Sequence, residues 1–266
     1  MIDTLPPFAI DVTPESVCRW LIGRDGRLPG SAPEPGQDVP MSYLFFLRGQ
    51  PAAAMSVHEL LGRDPDRGLF GGVRYERHRG VRIGDQLGAT AHVTERKTAD
   101  SPRGDMVLTT LVTEWRAGDD LAVTETVRMI DLPPGPPTAP ADGQATDQAL
   151  KFVGVPVTFT RTQIAWLTVE TGDLNPLHLD RDYAASRLFP DVVVPGTLIV
   201  PVAEKALTDA AGAPLQILDI RFRAPTYPGE EIIVAAAEDG GEWRFEVTGG
   251  NKIRAIGRAS VVGSES

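Results

Sequence analysis

The chain is expected to be an α+β protein made of two similar halves. Three observations point there. A Pro/Gly-rich run, Leu132-Pro-Pro-Gly-Pro-Pro-Thr-Ala-Pro-Ala-Asp-Gly143, splits the 266 residues into near-equal parts. Blocks of sequence in the first part recur in the same order in the second. Each part opens on a helix pattern and then turns to Val/Thr-rich segments separated by turn residues.

The elements follow in order. Val12-Thr-Pro-Glu-Ser-Val-Cys-Arg-Trp20 reads as a short helix, and Phe159-Thr-Arg-Thr-Gln-Ile-Ala-Trp-Leu167 repeats it 147 residues later. Thr13 and Thr160 stand where a hydroxyl can cap the first free N–H groups of a helix. Val39-Pro-Met-Ser-Tyr-Leu-Phe-Phe46 matches Val194-Pro-Gly-Thr-Leu-Ile-Val-Pro201 at an offset of 155. In the second copy this block leads into an apolar segment, Thr197–Leu207, that reads as a central helix. Arg74-Tyr75 matches Arg221-Phe222 at 147, and the turn Gly84-Asp-Gln-Leu87 matches Gly229-Glu-Glu-Ile232 at 145. Met106–Arg116 and Leu121–Ile130 read as a hairpin around Ala-Gly-Asp. Glu231–Ala237, Glu242–Thr248 and Arg254–Val262 are the matching strands of the second half, with Asp-Gly-Gly and Gly-Gly-Asn between them.

Duplication, with the chemistry kept in one half, explains the pattern; chance likeness of two β-rich halves is the alternative. The division predicted is 1–131, a linker at 132–150, and 151–266. The second copy carries eight extra residues between its first helix and its central segment. Its counterpart in the first half, Gly23–Asp38, is Gly/Pro-rich and has no histidine. The first half recovers the length in Arg48–Gly72, which includes Ala52-Ala-Ala-Met55 and Leu60-Leu61.

Charge and composition remove several classes. The net charge is −10, from 36 acidic and 26 basic residues. That balance is the reverse of a general nucleic-acid binder. An anionic ligand would gain no long-range steering from such a field, so phosphates would need a local basic patch. Cys18 is the one cysteine, which leaves no intrachain disulfide and no cysteine-built metal site. Met1–Val12 lacks the basic start and apolar run of a signal peptide. The longest apolar stretch, Val192–Ala203, is broken by Pro195 and Pro201 and is too short to span a bilayer. A soluble cytoplasmic protein, with no membrane or nucleic-acid partner, is the expectation.

The extra residues hold the chemistry. Thr171-Gly-Asp-Leu-Asn-Pro-Leu-His-Leu-Asp180 packs Asp173, Asn175 and His178 into six residues. Pro176 pushes Asn175 out of the helical region, so the segment breaks the helix predicted over Arg161–Thr171. A carboxylate, an amide and an imidazole then share one short loop. Taken singly, Asp173 is good turn chemistry and His178 is an ordinary surface or core histidine. Together, with Asp180, Tyr183, Ala184, Phe189 and then Val194-Pro195-Gly196, they resemble the hydratase motif of the MaoC-like family.

That family includes (R)-specific enoyl-CoA hydratases and 3-hydroxyacyl-thioester dehydratases, and its fold is the hotdog, a long helix wrapped by an antiparallel sheet. The first half, through Phe70-Gly-Gly-Val-Arg-Tyr75, Arg77-His-Arg and the Ile-Gly-Asp turn, resembles the degenerate N-terminal hotdog of two-domain members. The resemblance implies a double hotdog in which Asp173 and His178 activate water and Asn175 orients the loop and the water. It also implies that the Gly196 N–H, at the start of the central helix, holds the thioester oxygen; a plain turn after Pro195 is the competing reading of Gly196. Many members carry histidine before that glycine; Pro195 here has no N–H to offer.

The implied activity is a hydro-lyase interconverting trans-2-enoyl and (R)-3-hydroxyacyl thioesters. Coenzyme A would enter as part of the substrate, with no further cofactor and no metal. An acyl-carrier-protein thioester, a hotdog thioesterase and a non-catalytic thioester-binding subunit are the alternatives, and a homodimer is compatible with all of them. His58, His78 and His92 lack carboxylates at motif spacing, and His78 sits between two arginines. Trp20, Trp115, Trp166 and Trp243 read as core or interface. Arg181, Arg187, Arg221 and Arg223 are candidates for coenzyme-A phosphates, though each singly reads as solvated or salt-bridged. Arg48–Gly72 is expected to shape the acyl pocket, with Ala53 and Met55 setting chain length.

Overall fold

The computed structural model describes residues 4–49, 61–62, 67–100, 104–133, 150–173, 175–250 and 252–263. Ala52–Met55, His58 and Leu60, and most of the 132–150 linker, lie outside them. In the first half the chain runs β1 (Phe8–Asp11), α1 (Pro14–Asp25), β2 (Asp38–Val39), α2 (Tyr43–Arg48), β3 (Gly68–Arg77), β4 (Val81–Arg82), β5 (Gln86–Ala99), β6 (Met106–Ala117) and β7 (Asp120–Asp131). The second half gives β8 (Lys151–Thr158), α3 (Arg161–Glu170), α4 (Pro176–Leu179), α5 (Arg181–Ser186), α6 (Gly196–Ala211), β9 (Leu215–Phe222), β10 (Glu231–Asp239), β11 (Glu242–Gly249) and β12 (Lys252–Val261).

The capping signals are used as read. Thr13 Oγ1 accepts from Ser16 N–H at 3.1 Å and Thr160 Oγ1 accepts from Gln163 N–H at 3.2 Å. In both helices the third residue's side chain returns a bond to the cap backbone, closing a capping box. The two helices pack on each other. Arg19 and Glu170 bridge them at 2.9 Å, and the bare Gly23 leaves room for the Trp166 ring.

Ten strands form one antiparallel sheet in the order β1-β5-β6-β7-β3-β9-β12-β11-β10-β8. The first five belong to one half and the last five to the other, and β3 pairs with β9 at the join. The register there repeats the sequence offset. Val73 faces Ile220, 147 residues away, while Gly72 faces Arg221 and Arg74 faces Asp219. Exchanging the halves maps each pair onto another pair, so a local two-fold axis passes between Val73 and Ile220. Both are fully buried. Arg128 on β7 crosses the same join and makes two bonds to Asp219 on β9, at 2.9 and 3.1 Å.

In the second half, α6 lies against β8, β9 and β10. It buries Leu198, Ile199, Val200, Ala203, Ala206 and Leu207. It spans 16 residues and runs four residues past the expected end, to Gly212 in the left-handed region. In the first half the described part of its counterpart is α2, six residues long; residues 50–60, after Gly49, lie outside the described residues.

The shared sheet makes each half the cover of the other. Expressed alone, residues 151–266 would present the β9 edge and the apolar side chains that β3 and α2 now shield. The fragment should therefore precipitate or elute from gel filtration as an oligomer. A monomeric fragment with the circular dichroism of a folded sheet would contradict this account.

Candidate active site

The loop after α3 is built by three local devices. Thr171 closes the helix, its Oγ1 donating to Leu167 O at 2.8 Å. Gly172 then turns the chain at φ 65°, a region where glycine carries no side-chain penalty. Asn175 Oδ1 accepts from Leu177 N–H at 2.9 Å and so caps the single turn α4, with Pro176 at its first position. Asn175 thus ties the loop to the turn that carries His178. Asp180 does the same for α5, accepting from Asp182 and Tyr183 N–H groups at 2.8 and 3.0 Å.

This architecture brings Asp173 and His178 together. Nε2 of His178 lies 3.5 Å from Asp173 Oδ2. On the other side of the ring, Nδ1 lies 2.7 Å from the Val193 carbonyl. A carbonyl only accepts, so Nδ1 carries a proton and Nε2 presents its lone pair toward Asp173 in the neutral ring. Val193 is itself held, its N–H donating to Leu177 O at 3.0 Å. The neighbouring Val194 N–H donates to Thr226 O at 2.8 Å. The imidazole is 12% exposed and the carboxylate 29%, so the pair is reachable while its ring is mostly enclosed.

Gly196 follows Val193 by three residues and is the first residue of α6, not an isolated turn. The first N–H groups of a helix have no partner within it, and among the described residues no side chain caps this one. The structure adds a second reason for glycine. A Cβ at Gly196 would sit 2.6 Å from Phe222 Cζ and 2.8 Å from Phe70 Cδ1. Those rings belong to different halves and lie 5.4 Å apart, and Phe45 adds a third ring 5.4 Å from Phe70.

Sequence reasoning missed four contributors. The Val193 carbonyl fixes the tautomer, yet a backbone carbonyl leaves no mark in residue type. Phe222 stands in a repeat block and Phe70 in the stretch that resembles the N-terminal hotdog, and neither is joined to Gly196 by sequence. Gly49, at the end of α2, touches the loop itself, and any side chain there would overlap the Thr171 backbone. Both described ends of Arg48–Gly72 therefore reach the second half's loop or helix start.

The remaining candidates sit elsewhere. His78 Nε2 lies 2.9 Å from Thr124 Oγ1 on an exposed surface, and His92 is part of β5. Trp20 and Trp115 are core residues, whereas Trp166 is 41% exposed and packs beside Gly23. Arg181 Nε lies 3.7 Å from Asp191, which also pairs with Arg161. Arg187 stacks over Tyr183, and Arg221 lies 4.0 Å from Asp219. Among the described residues no helix is long and apolar enough to cross a membrane.

Residues 142–255 match the family model of the MaoC like domain. The matched stretch is less than half of the chain and lies almost wholly in its second half. The peroxisomal hydratase-dehydrogenase-epimerase of Saccharomyces cerevisiae is 34% identical over 70 residues, 26% of this chain. That match spans only 8% of the yeast protein. A MaoC-like dehydratase from Phytophthora capsici has the same fold, with a TM-score of 0.73 at 17% identity, covering 98% of this chain and 96% of that one. A Mycobacterium tuberculosis protein described as a double hotdog superposes with a TM-score of 0.57 at 14% identity, over 98% of this chain and 94% of its own. The ten-stranded sheet is a double hotdog, and the stretch that matches the family model contains Asp173 and His178.

The cap on α4 is separable from the pair it positions. Asn175→Ala should cost about 0.5–2 kcal/mol of stability, the usual range for a lost N-cap. Asn175→Asp, which keeps an acceptor oxygen, should recover most of it. Thermal melting of the two variants checks this, and equal losses in both would remove the capping role.

Proposed function

We propose that the chain is a hydro-lyase that interconverts trans-2-enoyl and (R)-3-hydroxyacyl thioesters, with coenzyme A as the carrier. The observation that carries the reading is the His178 ring locked at Nδ1 with Nε2 turned to Asp173 Oδ2 at 3.5 Å. Two acceptors that face each other in this way suit one water that donates a hydrogen to each. The family match and the hydratase named in the yeast relative support the same reaction class.

In the hydration direction the water oxygen attacks the β-carbon as one member of the pair takes its proton. A proton is returned to the α-carbon, so one water is added across the double bond and the pair ends as it began. Positioned acid–base groups of this kind contribute about 10²–10⁴-fold. Charge that develops on the thioester oxygen is met by the Gly196 N–H and the positive end of α6. Asn175 acts on the loop through its cap. The net charge of −10 favours coenzyme A over an acidic carrier protein, because the two proteins would repel. The aromatic row Phe222, Phe70 and Phe45 supplies an apolar wall that runs from Gly196 into the first half.

A panel of enoyl-CoA esters, followed by loss of the conjugated thioester absorbance, tests the reading. Asp173→Asn and His178→Ala should each lower kcat by at least about 10²-fold with the fold intact. The double variant should lose little more than the worse single one, since the two act as a unit. Near-normal turnover in either folded variant removes the mechanism. Chiral chromatography of the product should return the (R)-3-hydroxy acid, and a mainly (S) product would refute the assigned stereochemistry.

A further inference from the structure

The start of α6 has a counterpart in the first half. The offset of 155 sets Val39-Pro40-Met41-Ser42 against Val194-Pro195-Gly196-Thr197, and the backbone repeats the match. Tyr43 N–H donates to Pro40 O at 3.2 Å, as Leu198 N–H donates to Pro195 O at 3.0 Å. Val39 pairs with Val81, and Val194 bonds to Thr226, 145 residues beyond Val81. Ser42 and Thr197 even share a buried hydroxyl without a hydrogen-bond partner among the described residues. The same turn has been built twice.

The two copies are not in the same state. In the first, both N–H groups are taken by one carboxylate from the other half. Glu204 on α6 accepts from Met41 N–H through Oε1 at 2.7 Å and from Ser42 N–H through Oε2 at 2.9 Å. It is 3% exposed, so these charge-assisted bonds act where water does not compete. Continued along the helix, the same offset makes Gly49 the counterpart of Glu204. The axis that carries Glu204 onto Met41 and Ser42 carries position 49 toward Gly196 and Thr197. Glycine has no side chain to reach them, and a larger residue would overlap the Thr171 backbone where the acid–base loop begins.

We infer that positions 49 and 204 decide which half of the molecule takes substrate: Glu204 fills the first half's N–H pair, and Gly49 leaves the Gly196/Thr197 pair open behind the catalytic loop. The second part rests on the reading of Gly196 as the thioester-oxygen site. Glu204 is then a positioning residue. It holds the start of α2, whose far end at Gly49 backs the Thr171–Asp173 turn.

The full chain carrying Glu204→Ala or Glu204→Gln tests this by melting, with and without sodium formate, and with sodium chloride at equal ionic strength as control. Formate is small enough to occupy the space of the missing carboxylate. The Ala variant should lose about 5–10 °C of Tm. Formate should restore Tm saturably and chloride should not, and Gln, which keeps one acceptor oxygen, should recover at least half of the loss. On an enoyl thioester the Ala variant should lose about tenfold in kcat with KM little changed, because the loop is misplaced and not removed. Formate should restore kcat together with Tm. An Ala variant that melts like the parent, or one whose loss neither formate nor Gln relieves, overturns the proposal. The melting needs no substrate. A parent chain that hydrates no enoyl thioester, with the formate response intact, would sink the hydro-lyase reading and leave the filling of the first-half pair by Glu204 standing.

Discussion

The pairing of β3 with β9 is the constraint on which the rest of the structure depends. Five residues of each strand meet, and Val73 and Ile220 lie at the local two-fold axis with no exposure. Antiparallel pairing across an axis forces the two halves into one sheet with one twist. Once that register is set, Phe70 and Phe222 are carried to the same face of Gly196. The end of α2 is brought against the Thr171 turn by the same arrangement. The loop with Asp173 and His178 belongs wholly to the second half, but its backing comes from both.

The halves share a backbone and differ in what fills it. In the first, Glu125 is fully buried and accepts from Tyr75 OH and Trp115 Nε1, each at 3.2 Å, and from Arg48. Arg48 also donates to Thr113 Oγ1 at 2.8 Å. Burial, and then the nearby Glu125 and Glu204 carboxylates, push the Tyr75 hydroxyl well above its usual range, so it remains a donor. The strand registers give the second-half counterparts. Tyr75 faces Glu125, as Phe222 faces Ala255, and Glu125 faces Thr113, as Ala255 faces Val247. A buried ionic network thus occupies one half where the other is apolar. Such networks add little net stability over an apolar core, but removing a single member typically costs about 3–5 kcal/mol. The network holds α2 through Arg48, and Glu204 holds it from the other end.

Much of this was legible in the residues because local rules and the repeat agreed. The capped helices at Thr13 and Thr160, the hairpin around Gly118 and the loop from Asp173 to His178 all came from short-range chemistry, and short-range chemistry survives folding. The offset of 147 did more than suggest two halves, since it is the spacing of the paired Val73 and Ile220. What stayed hidden depends on contacts between distant backbone atoms. The Val193 carbonyl that orients His178 has no side-chain signature. Gly49 is one of 27 glycines, and only the position of the Thr171 backbone makes it special.

A fused pair can do what a pair of identical chains cannot. In a symmetric homodimer, residue i of one subunit meets residue j of the other and the reverse holds too. One position would then have to serve both as the Glu that fills an N–H pair and as the Gly that leaves one open. Both sites would be open or both filled. Joining the copies in one chain frees positions 49 and 204 to diverge, and every other difference can follow from that freedom. The half with Glu204 seated at its helix start has no histidine in its Gly23–Asp38 segment. Its interior can then hold Arg48, Glu125 and Tyr75, charged and polar groups that an apolar acyl chain would leave unsolvated. The other half keeps small and apolar residues at the same places: Ala203, Ala255 and Phe222. On this proposal the filling of one N–H pair and the opening of the other are one structural event, centred on the two ends of α2.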